Sequence, residues 1–284
     1  MYLFQISGPE FLLWYMAFFA LSCLVAFVMR AVILQVSPDD VGDGEIDRYD
    51  IAYLSGGREQ VYFTAIGTLS RLGVVTLDAV TRQLQVHDHK NHQLHPVEVD
   101  LCASIRWGDG KVETAYRQFT GAVERIEQRL QRLSLVPSES RTAAAQFVPA
   151  LILAALPIFI GLPRLCHGMV EKHPTSFLIV LLIVSGLTTV FAALNKPHRT
   201  SLGADAVRIL QGEHEALKLN FQTRPSSLST IDTTLAYALF GGLIVGSADP
   251  FNLAKTALHP ASTGSGGSGC GGGGCGGCGG GCGG

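Results

Sequence analysis

The sequence predicts a mainly α-helical, multi-pass membrane protein with a small cytoplasmic module and a disordered tail. The module is predicted to be α+β, helical with one hairpin. Three observations predict this class. Three long runs carry no charged side chain, charged residues make up only 15% of the 284 residues and lie mainly outside those runs, and the last stretch is mostly glycine. Because 21 Lys and Arg nearly balance 23 Asp and Glu, the whole chain has no strong field that would draw it to acidic ligands.

The first apolar run follows a short N-terminal segment, residues 1–10. It has nineteen uncharged residues between Glu10 and Arg30, and its apolar character continues to Leu34. At 1.5 Å per residue, such a helix crosses a hydrocarbon core of about 30 Å. A cleaved signal peptide is the alternative, but no basic residue precedes the run and no small-x-small cleavage site follows it. We therefore predict transmembrane helix 1 over residues 11–34.

Two further runs have a similar length. Residues 142–163 are all uncharged and include Pro149 and Pro157, which a bilayer helix tolerates when neighbouring groups satisfy the freed carbonyls. Residues 175–194 are also uncharged and end at a basic stop signal, residues 195–199. We predict transmembrane helices 2 and 3 over these two runs, joined by a short outside loop, residues 164–174.

The distribution of Lys and Arg predicts the orientation, because these residues resist translocation when they lie near helix ends. None precedes the first run, whereas Arg30 follows it, Arg141 precedes the second run, and Lys196 and Arg199 follow the third. We expect the N-terminus outside and residues 35–141 in the cytoplasm. The C-terminal module, residues 195–260, is expected in the cytoplasm too.

The module between the first two runs has mixed patterns. Residues 39–50 are rich in Asp and Gly and are interpreted as a solvated linker. From about Arg58 an apolar stripe predicts a helix that ends at Gly73, and two short strands predict a hairpin near residues 74–87. Further helices are predicted after Pro96 and over residues 112–133. The stripe consists of Val61, Ala65, Ile66, Leu69 and Leu72.

A fourth apolar stretch, residues 235–248, has only fourteen residues. This length is more typical of a core helix or an interfacial segment than of a membrane span. We favour the non-spanning interpretation, and the alternative of a fourth span would place the tail, residues 261–284, outside the cell.

The composition bears on the class of function. A helix followed by a hairpin is also found in winged-helix proteins, but residues 35–146 hold 12 Lys and Arg against 16 Asp and Glu. An acidic module lacks the basic face that phosphate contacts require, so we predict no nucleic-acid partner. The sequence has no nucleophile elbow, paired metalloprotease histidines or dinucleotide fingerprint. It favours a non-enzymatic scaffold or assembly role, with the lipid bilayer and an unidentified protein as partners and no catalytic residue assigned.

Four histidines form the first candidate metal site. They fall within nine residues, and imidazole is a common ligand of transition metals. An exposed polar loop is the alternative, because Lys90 lies among them and would repel a cation. The four residues are His87, His89, His92 and His95.

Four cysteines in the tail form the second candidate metal site. Fifteen of the 24 residues in the tail are Gly, and the cysteines follow the spacing C-x4-C-x2-C-x3-C. Their thiolates are able to bind zinc or another soft metal, which would supply the ordering that burial cannot. Covalent attachment or disulfide chemistry, and an unligated flexible linker, are the alternatives. The four residues are Cys270, Cys275, Cys278 and Cys282.

Several short motifs carry a resemblance over nearly the whole length of the chain. The sequence resembles a family of uncharacterised bacterial membrane proteins that have a Gly/Cys-rich C-terminal tail. The resemblance implies a location in the bacterial plasma membrane and brings no catalytic or cofactor residue with it. Besides the tail, the motifs are residues 7–11 (SGPEF), 52–57 (AYLSGG), 95–98 (HPVE), 199–203 (RTSLG) and 238–242 (ALFGG).

Overall fold

The computed structural model describes residues 8–35, 44–78, 80–87, 93–161, 163, 165, 176–224, 228–246 and 248–259. Within these residues the protein is mainly helical, with eleven α-helices and one two-stranded sheet. The strands are β1 Val75–Leu77 and β2 Leu84–Val86. The helices are α1 Gly8–Leu34, α2 Arg48–Arg71, α3 Pro96–Trp107, α4 Val112–Gln118, α5 Gly121–Arg132, α6 Glu139–Leu156, α7 Ser176–Leu194, α8 Ser201–Glu213, α9 Glu215–Thr223, α10 Thr230–Phe240 and α11 Pro250–Leu258.

Three of the described helices, α1, α6 and α7, are long and apolar enough to cross a membrane, and we call them the three apolar helices. The stretches that meet this criterion are Leu13–Leu34, Glu139–Gly161 and Phe177–Leu194. They overlap the three predicted spans closely. The second begins three residues earlier than predicted, at Glu139, whose acidic side chain is favourable in the first turn of a helix.

The end of the second apolar helix departs from regular α-helix. After Leu156 the chain continues as a π-helix, Pro157–Gly161. Proline has no N–H to donate to the carbonyl one turn earlier, and a wider turn lets the helix continue past it. Pro149 lies further back, inside the regular part of α6.

The three apolar helices pack against one another but expose most of their surface. The second, α6, contacts both α1 and α7, and Tyr15 of α1 shares a small buried cluster with Leu178 of α7. Large side chains point outwards, and Phe27, Leu187 and Phe191 are 72%, 65% and 68% exposed. Water disfavours a continuous apolar surface of this kind, whereas lipid accepts it.

The polar segments on both sides of α6 and α7 fold together. Residues 44–137 and 198–259 share one hydrophobic core, and we call them the folded module. Helix α2 lies at its centre, in contact with α3, α5, α8, α10, α11 and β1. The fully buried residues of α2 include Tyr49, Leu54, Tyr62, Ile66 and Leu69.

Helix α2 begins at Arg48, about ten residues before the predicted start. The interpretation of residues 39–50 as a solvated linker is therefore wrong at its C-terminal end, where Asp50 is completely buried; residues 36–43 lie outside the described part of the chain. The Asp50 carboxylate accepts a hydrogen bond of 3.0 Å from the N–H of Asp47, which satisfies a free donor at the helix N-terminus. The predicted stripe is confirmed from Val61 to Leu69, whose apolar members are buried.

The hairpin is present as predicted near residues 74–87, with Val75 opposite Val86 and Leu77 opposite Leu84 in an antiparallel pair. The single helix predicted over residues 112–133 is instead two helices, α4 and α5. Phe119 is 1% exposed and has non-helical backbone angles where its side chain enters the core. Thr120 and Gly121 follow it, and both have low helix propensity.

The fourth apolar stretch forms part of the core of the folded module. Helix α10 packs along α2, and its residues Ala236, Tyr237, Ala238 and Leu239 are buried. The helix ends at Phe240 and a short 3-10 turn, Gly241–Leu243, follows. Eleven residues are too few for a helix to cross a bilayer, and the non-spanning interpretation of residues 235–248 stays a prediction.

Candidate functional site at the junction of the apolar helices and the folded module

The structure describes only part of the two candidate metal sites. His89, His92 and the four tail cysteines, Cys270, Cys275, Cys278 and Cys282, lie outside the described residues. His87 follows β2, and its Nε2 lies 3.0 Å from the hydroxyl oxygen of Thr76. Among the described residues, no group of three or more His, Cys, Asp or Glu is placed to hold a metal ion. Both metal sites therefore stay predictions from the sequence.

His95 uses both of its ring nitrogens inside the folded module. Its Nδ1 accepts a hydrogen bond of 3.3 Å from the N–H of Val97, and its Nε2 lies 3.0 Å from a carboxylate oxygen of Asp47. Since Nδ1 is an acceptor, the proton lies on Nε2, where it faces the carboxylate. A metal ion would have to displace one of these contacts to bind His95.

A buried polar cluster surrounds His95 and joins the first turns of α2 and α3. The hydroxyl of Tyr49 donates a hydrogen bond of 2.6 Å to Glu98, and the N–H of His95 donates one of 2.8 Å to the other carboxylate oxygen of Glu98. Burial and the nearby carboxylate of Glu98 raise the pKa of Tyr49 well above its usual value. The phenol therefore stays protonated and keeps donating to Glu98.

Asp50 extends this cluster to α5. Its carboxylate accepts hydrogen bonds from the guanidinium of Arg129 and from the N–H of Asp47. Burial raises the pKa of Asp50 above its usual value, and the bonds from Arg129 and Asp47 oppose that shift. These contacts connect α2, α3 and α5, although Asp50 Oδ1 is buried and makes no hydrogen bond within the described part of the chain.

Two local sequence signals mark the helix starts that form this cluster, and Pro96 is the part of them from which the sequence predicts α3. Residues 95–98 contain a helix N-terminus signature, in which Pro96 occupies the first turn and Glu98 lies three residues after the N-cap. Asp47 and Asp50 have the same spacing at the start of α2. The contact between the two helix starts has no local sequence signal, because it forms only when α2 and α3 pack together.

The three apolar helices meet the folded module at one junction. The guanidinium of Arg30 on α1 donates a hydrogen bond of 3.0 Å to the backbone carbonyl of Asn195, just after α7. The hydroxyl of Ser201 at the start of α8 donates one of 3.3 Å to the carbonyl of Leu34. The end of α1, the end of α7 and the start of the second half of the module are therefore neighbours.

The motif at residues 199–203 fastens this junction to the core. Thr200 caps α8 by accepting from the N–H of Gly203 and donates from its own hydroxyl to the carbonyl of Leu135 at 2.9 Å. Arg199 donates a hydrogen bond of 3.1 Å to the carbonyl of Leu54 on α2. A Cβ on Gly203 would lie 2.5 Å from the Leu135 carbonyl oxygen, so this close approach requires glycine.

The motif at residues 238–242 contacts α2 at Gln60, one turn after the motif at residues 52–57. The helix is kinked at Gly56 and Gly57, and Gly57 has a φ of 69°. One turn later Gln60 donates a hydrogen bond of 2.6 Å to the carbonyl of Tyr237 on α10. A Cβ on Gly241 would lie 2.7 Å from the Gln60 amide nitrogen. Four of the motifs that carry the resemblance thus lie on α2 or contact it.

A small cavity of about 110 Å³ lies between the hairpin and α11, lined by Leu77, Asp78, Arg82, Leu253, Thr256 and Ala257. Its carboxylate already has a structural use, because Asp78 accepts hydrogen bonds from the N–H groups of Val80 and Thr81 in the hairpin turn. The bond from Val80 lowers the pKa of Asp78 below its usual value. The cavity lining therefore shows no pair of groups poised for acid–base chemistry.

These elements define a class of protein: a mainly helical chain with three helices long and apolar enough to cross a membrane and with a folded module at one end of them. Comparison of the chain with family models, curated proteins and solved structures finds no match.

Proposed function

We propose that this chain is a non-enzymatic integral membrane protein of the bacterial plasma membrane, in which the three apolar helices anchor a cytoplasmic module with a scaffold or assembly role. The proposal rests on the contacts at the junction between the three apolar helices and the folded module. Arg30, Asn195 and Ser201 connect the ends of α1 and α7 to the start of α8, so both halves of the module stand at one end of the apolar helices. An odd number of spans places the N-terminus on the opposite side.

The orientation is argued from charge. Arg30, Arg141 and Lys196 stand at the end of the helices where the module lies, whereas Glu10 stands near the start of α1. Lys and Arg are retained on the cytoplasmic side. The module is therefore assigned to the cytoplasm.

The scaffold role is supported by an exposed apolar face on α3. Trp107 is 87% exposed and Val99 is 48% exposed, and Ala103 lies between them along the same side of the helix. Tryptophan is enriched among the residues that dominate binding energy at protein interfaces. A protein partner that covers this face would remove the largest exposed aromatic side chain of the module from water.

Extraction and labelling test the anchoring and the orientation. We expect the intact chain to stay in the membrane pellet after alkaline carbonate extraction. In a cysteine-free version, Gln5→Cys is expected to react with an impermeant maleimide in intact cells, whereas Gly212→Cys reacts only after permeabilisation. Gly212 suits this purpose because no atom lies within 4 Å of the position its Cβ would occupy. A soluble chain, or labelling of position 212 in intact cells, would contradict the proposal.

Co-purification tests the scaffold role. The full chain is purified in mild detergent, and a recurrent partner is expected to be lost from Trp107→Ala but retained by Ile209→Ala, which removes another exposed apolar side chain of the module. Purification without any recurrent partner, or equal retention by both variants, argues against this part of the proposal.

Metal binding by the tail is the alternative, and the observation that favours it is the spacing of Cys270, Cys275, Cys278 and Cys282. Elemental analysis of the chain after anaerobic purification tests it against a variant with serine at the four positions. Zinc or another soft metal present at a fixed ratio in the parent chain and lost from the variant is the expected result under this alternative.

A further inference from the structure

Each of the three apolar helices has a basic residue at the end that meets the folded module. These residues are Arg30 on α1, Arg141 in the first turn of α6 and Lys196 just after α7. Each lies about twenty residues from the far end of its helix, so at 1.5 Å per residue it stands about 30 Å away from that end, which is the thickness of a hydrocarbon core. In a bilayer spanned by the three helices, all three residues would lie at the depth of the lipid headgroups.

Contacts between the helices hold these residues at a similar level. The guanidinium of Arg30 bonds to the carbonyl of Asn195, the residue next to Lys196. The amide of Gln146 on α6 donates to the carbonyl of Ala193 on α7. Arg141 is five residues before Gln146 and Lys196 is three residues after Ala193, so both lie a few ångströms beyond this contact towards the module.

No carboxylate of the described residues forms an ion pair with any of the three. Arg30 bonds to a backbone carbonyl, while Arg141 and Lys196 are exposed. Several cations of the module do have carboxylate partners, among them Arg117 with Glu113 and Arg125 with Asp100. Within the described part of the chain, the three basic residues thus have no carboxylate partner.

We infer that Arg30, Arg141 and Lys196 form a binding site for the phosphate of an anionic phospholipid headgroup in the leaflet that faces the folded module. This inference rests on the proposed membrane anchoring. The occupant follows from continuity, because the site begins where the three apolar helices leave the hydrocarbon core, and basic residues at that depth attract anionic lipids. Arg30 also joins α1 to α7, so a bound headgroup would bridge all three helices.

The test uses the full chain, purified in detergent, stripped of lipid and incubated with phosphatidylglycerol or phosphatidylcholine. Native mass spectrometry then measures the lipid bound per chain. The test variant is Arg141→Gln with Lys196→Gln, which leaves the Arg30 bond intact. The matched control is Arg117→Gln with Arg125→Gln, which removes the same charge from the module surface. Circular dichroism checks that both variants are folded.

We expect the test variant to bind phosphatidylglycerol roughly 25-fold more weakly, about fivefold for each basic residue lost near an anionic surface. The control variant stays within about twofold of the parent chain. Equal binding of the two lipids by the parent chain would overturn the inference. Unchanged binding of phosphatidylglycerol by the test variant would also overturn the inference. Displacement of phosphatidylglycerol by millimolar inorganic phosphate would overturn it too, because it would indicate a site for a free anion. If the site instead binds an acidic protein partner, the parent chain would show no preference between the two lipids. A chain that is fully extracted by carbonate would refute the anchoring itself, so the two failures are distinguishable.

Discussion

At the scale of single residues, Asp50 shows how burial changes the contribution of an ion pair to the stability of the fold. It is completely buried and bonds to Arg129, which is about half exposed. Asp100 makes a comparable pair with Arg125, but both side chains are substantially exposed. The two pairs share the same chemistry and helix α5, and therefore form a matched comparison.

We expect Asp50→Ala to lower the free energy of unfolding of the module by about 2 kcal/mol, because it removes a charged partner from Arg129 and an acceptor from the N–H of Asp47. Asp100→Ala is expected to cost only about 0.5 kcal/mol, since solvent screens an exposed pair. Thermal unfolding of the two variants in the same detergent measures the difference. Equal losses would show that burial does not make the Asp50 pair more stabilising than the exposed Asp100 pair.

Asp47 should make the stability of the module depend on pH. Burial acts to raise the pKa of Asp47, but the contact with His95 and the hydrogen bond from the N–H of Arg48 outweigh it, so the pKa is lower than usual. A carboxyl whose pKa is lower in the folded state stabilises the fold above its unfolded pKa, and this stability is lost as the pH falls through the folded value.

We therefore expect Asp47→Asn to be less stable than the parent chain by about 1 kcal/mol at pH 7, through the loss of one charged contact. The gap should shrink as the pH falls below about 4, where the carboxyl of the unfolded chain becomes protonated, and should close at lower pH, where the folded carboxyl is protonated too. Unfolding midpoints from pH 3 to pH 7 measure it, with Asp205→Asn on the module surface as the control. A stability difference between Asp47→Asn and the parent chain that stays constant from pH 3 to pH 7 would contradict the lowered pKa of Asp47.

At the scale of helices and strands, α8 contains two glycines that differ in their surroundings. A Cβ at Gly203 would lie 2.5 Å from the carbonyl oxygen of Leu135, whereas a Cβ at Gly212 would meet no atom within 4 Å. Gly203→Ala is expected to lower the free energy of unfolding by about 2 kcal/mol, because backbone must move to admit the methyl group. Gly212→Ala is expected to raise it by about 0.5 kcal/mol, through better helix propensity. Thermal unfolding of the two variants measures both changes, and a Gly203→Ala variant as stable as the parent chain would contradict the close approach at residue 203.

The sequence predicted those elements whose pattern is local. The three apolar helices follow from runs without charge, and the stripe from Val61 to Leu69 follows from helical spacing. The start of α2 has a local capping signature in Asp47 and Asp50, but these residues also fit a solvated acidic linker, and only their partners, His95 and Arg129, distinguish the two. The break at Phe119 was missed for a related reason: the apolar spacing is preserved on both sides, while tertiary packing draws the Phe119 ring into the core.

At the scale of the whole molecule, the folded module is discontinuous in sequence. Its central helix α2 comes from the segment before the second apolar helix, and α8, α10 and α11 come from the segment after the third. No local pattern shows that two polar segments share a core, because hydrophobic burial is non-directional. The charges in the sequence predict both segments on one side of a membrane, but they do not predict that the two segments pack together.

The discontinuity predicts how truncated chains behave. A chain that stops after residue 197 retains α2 but lacks Tyr237 and Phe251, which stack on each other with ring centroids 5.5 Å apart in the core. It also lacks Asp249, whose carboxylate accepts from the Tyr237 hydroxyl at 3.0 Å. Since the apolar side of α2 that α10 covers would then face water, we expect residues 44–137 to become sensitive to protease in detergent.

A chain that stops after residue 260 loses only the Gly/Cys-rich tail, which has almost no side chains to pack, so its module should stay resistant. Limited proteolysis of both chains provides the measurement, and a resistant module in the shorter chain would show that residues 44–137 fold without the C-terminal segment.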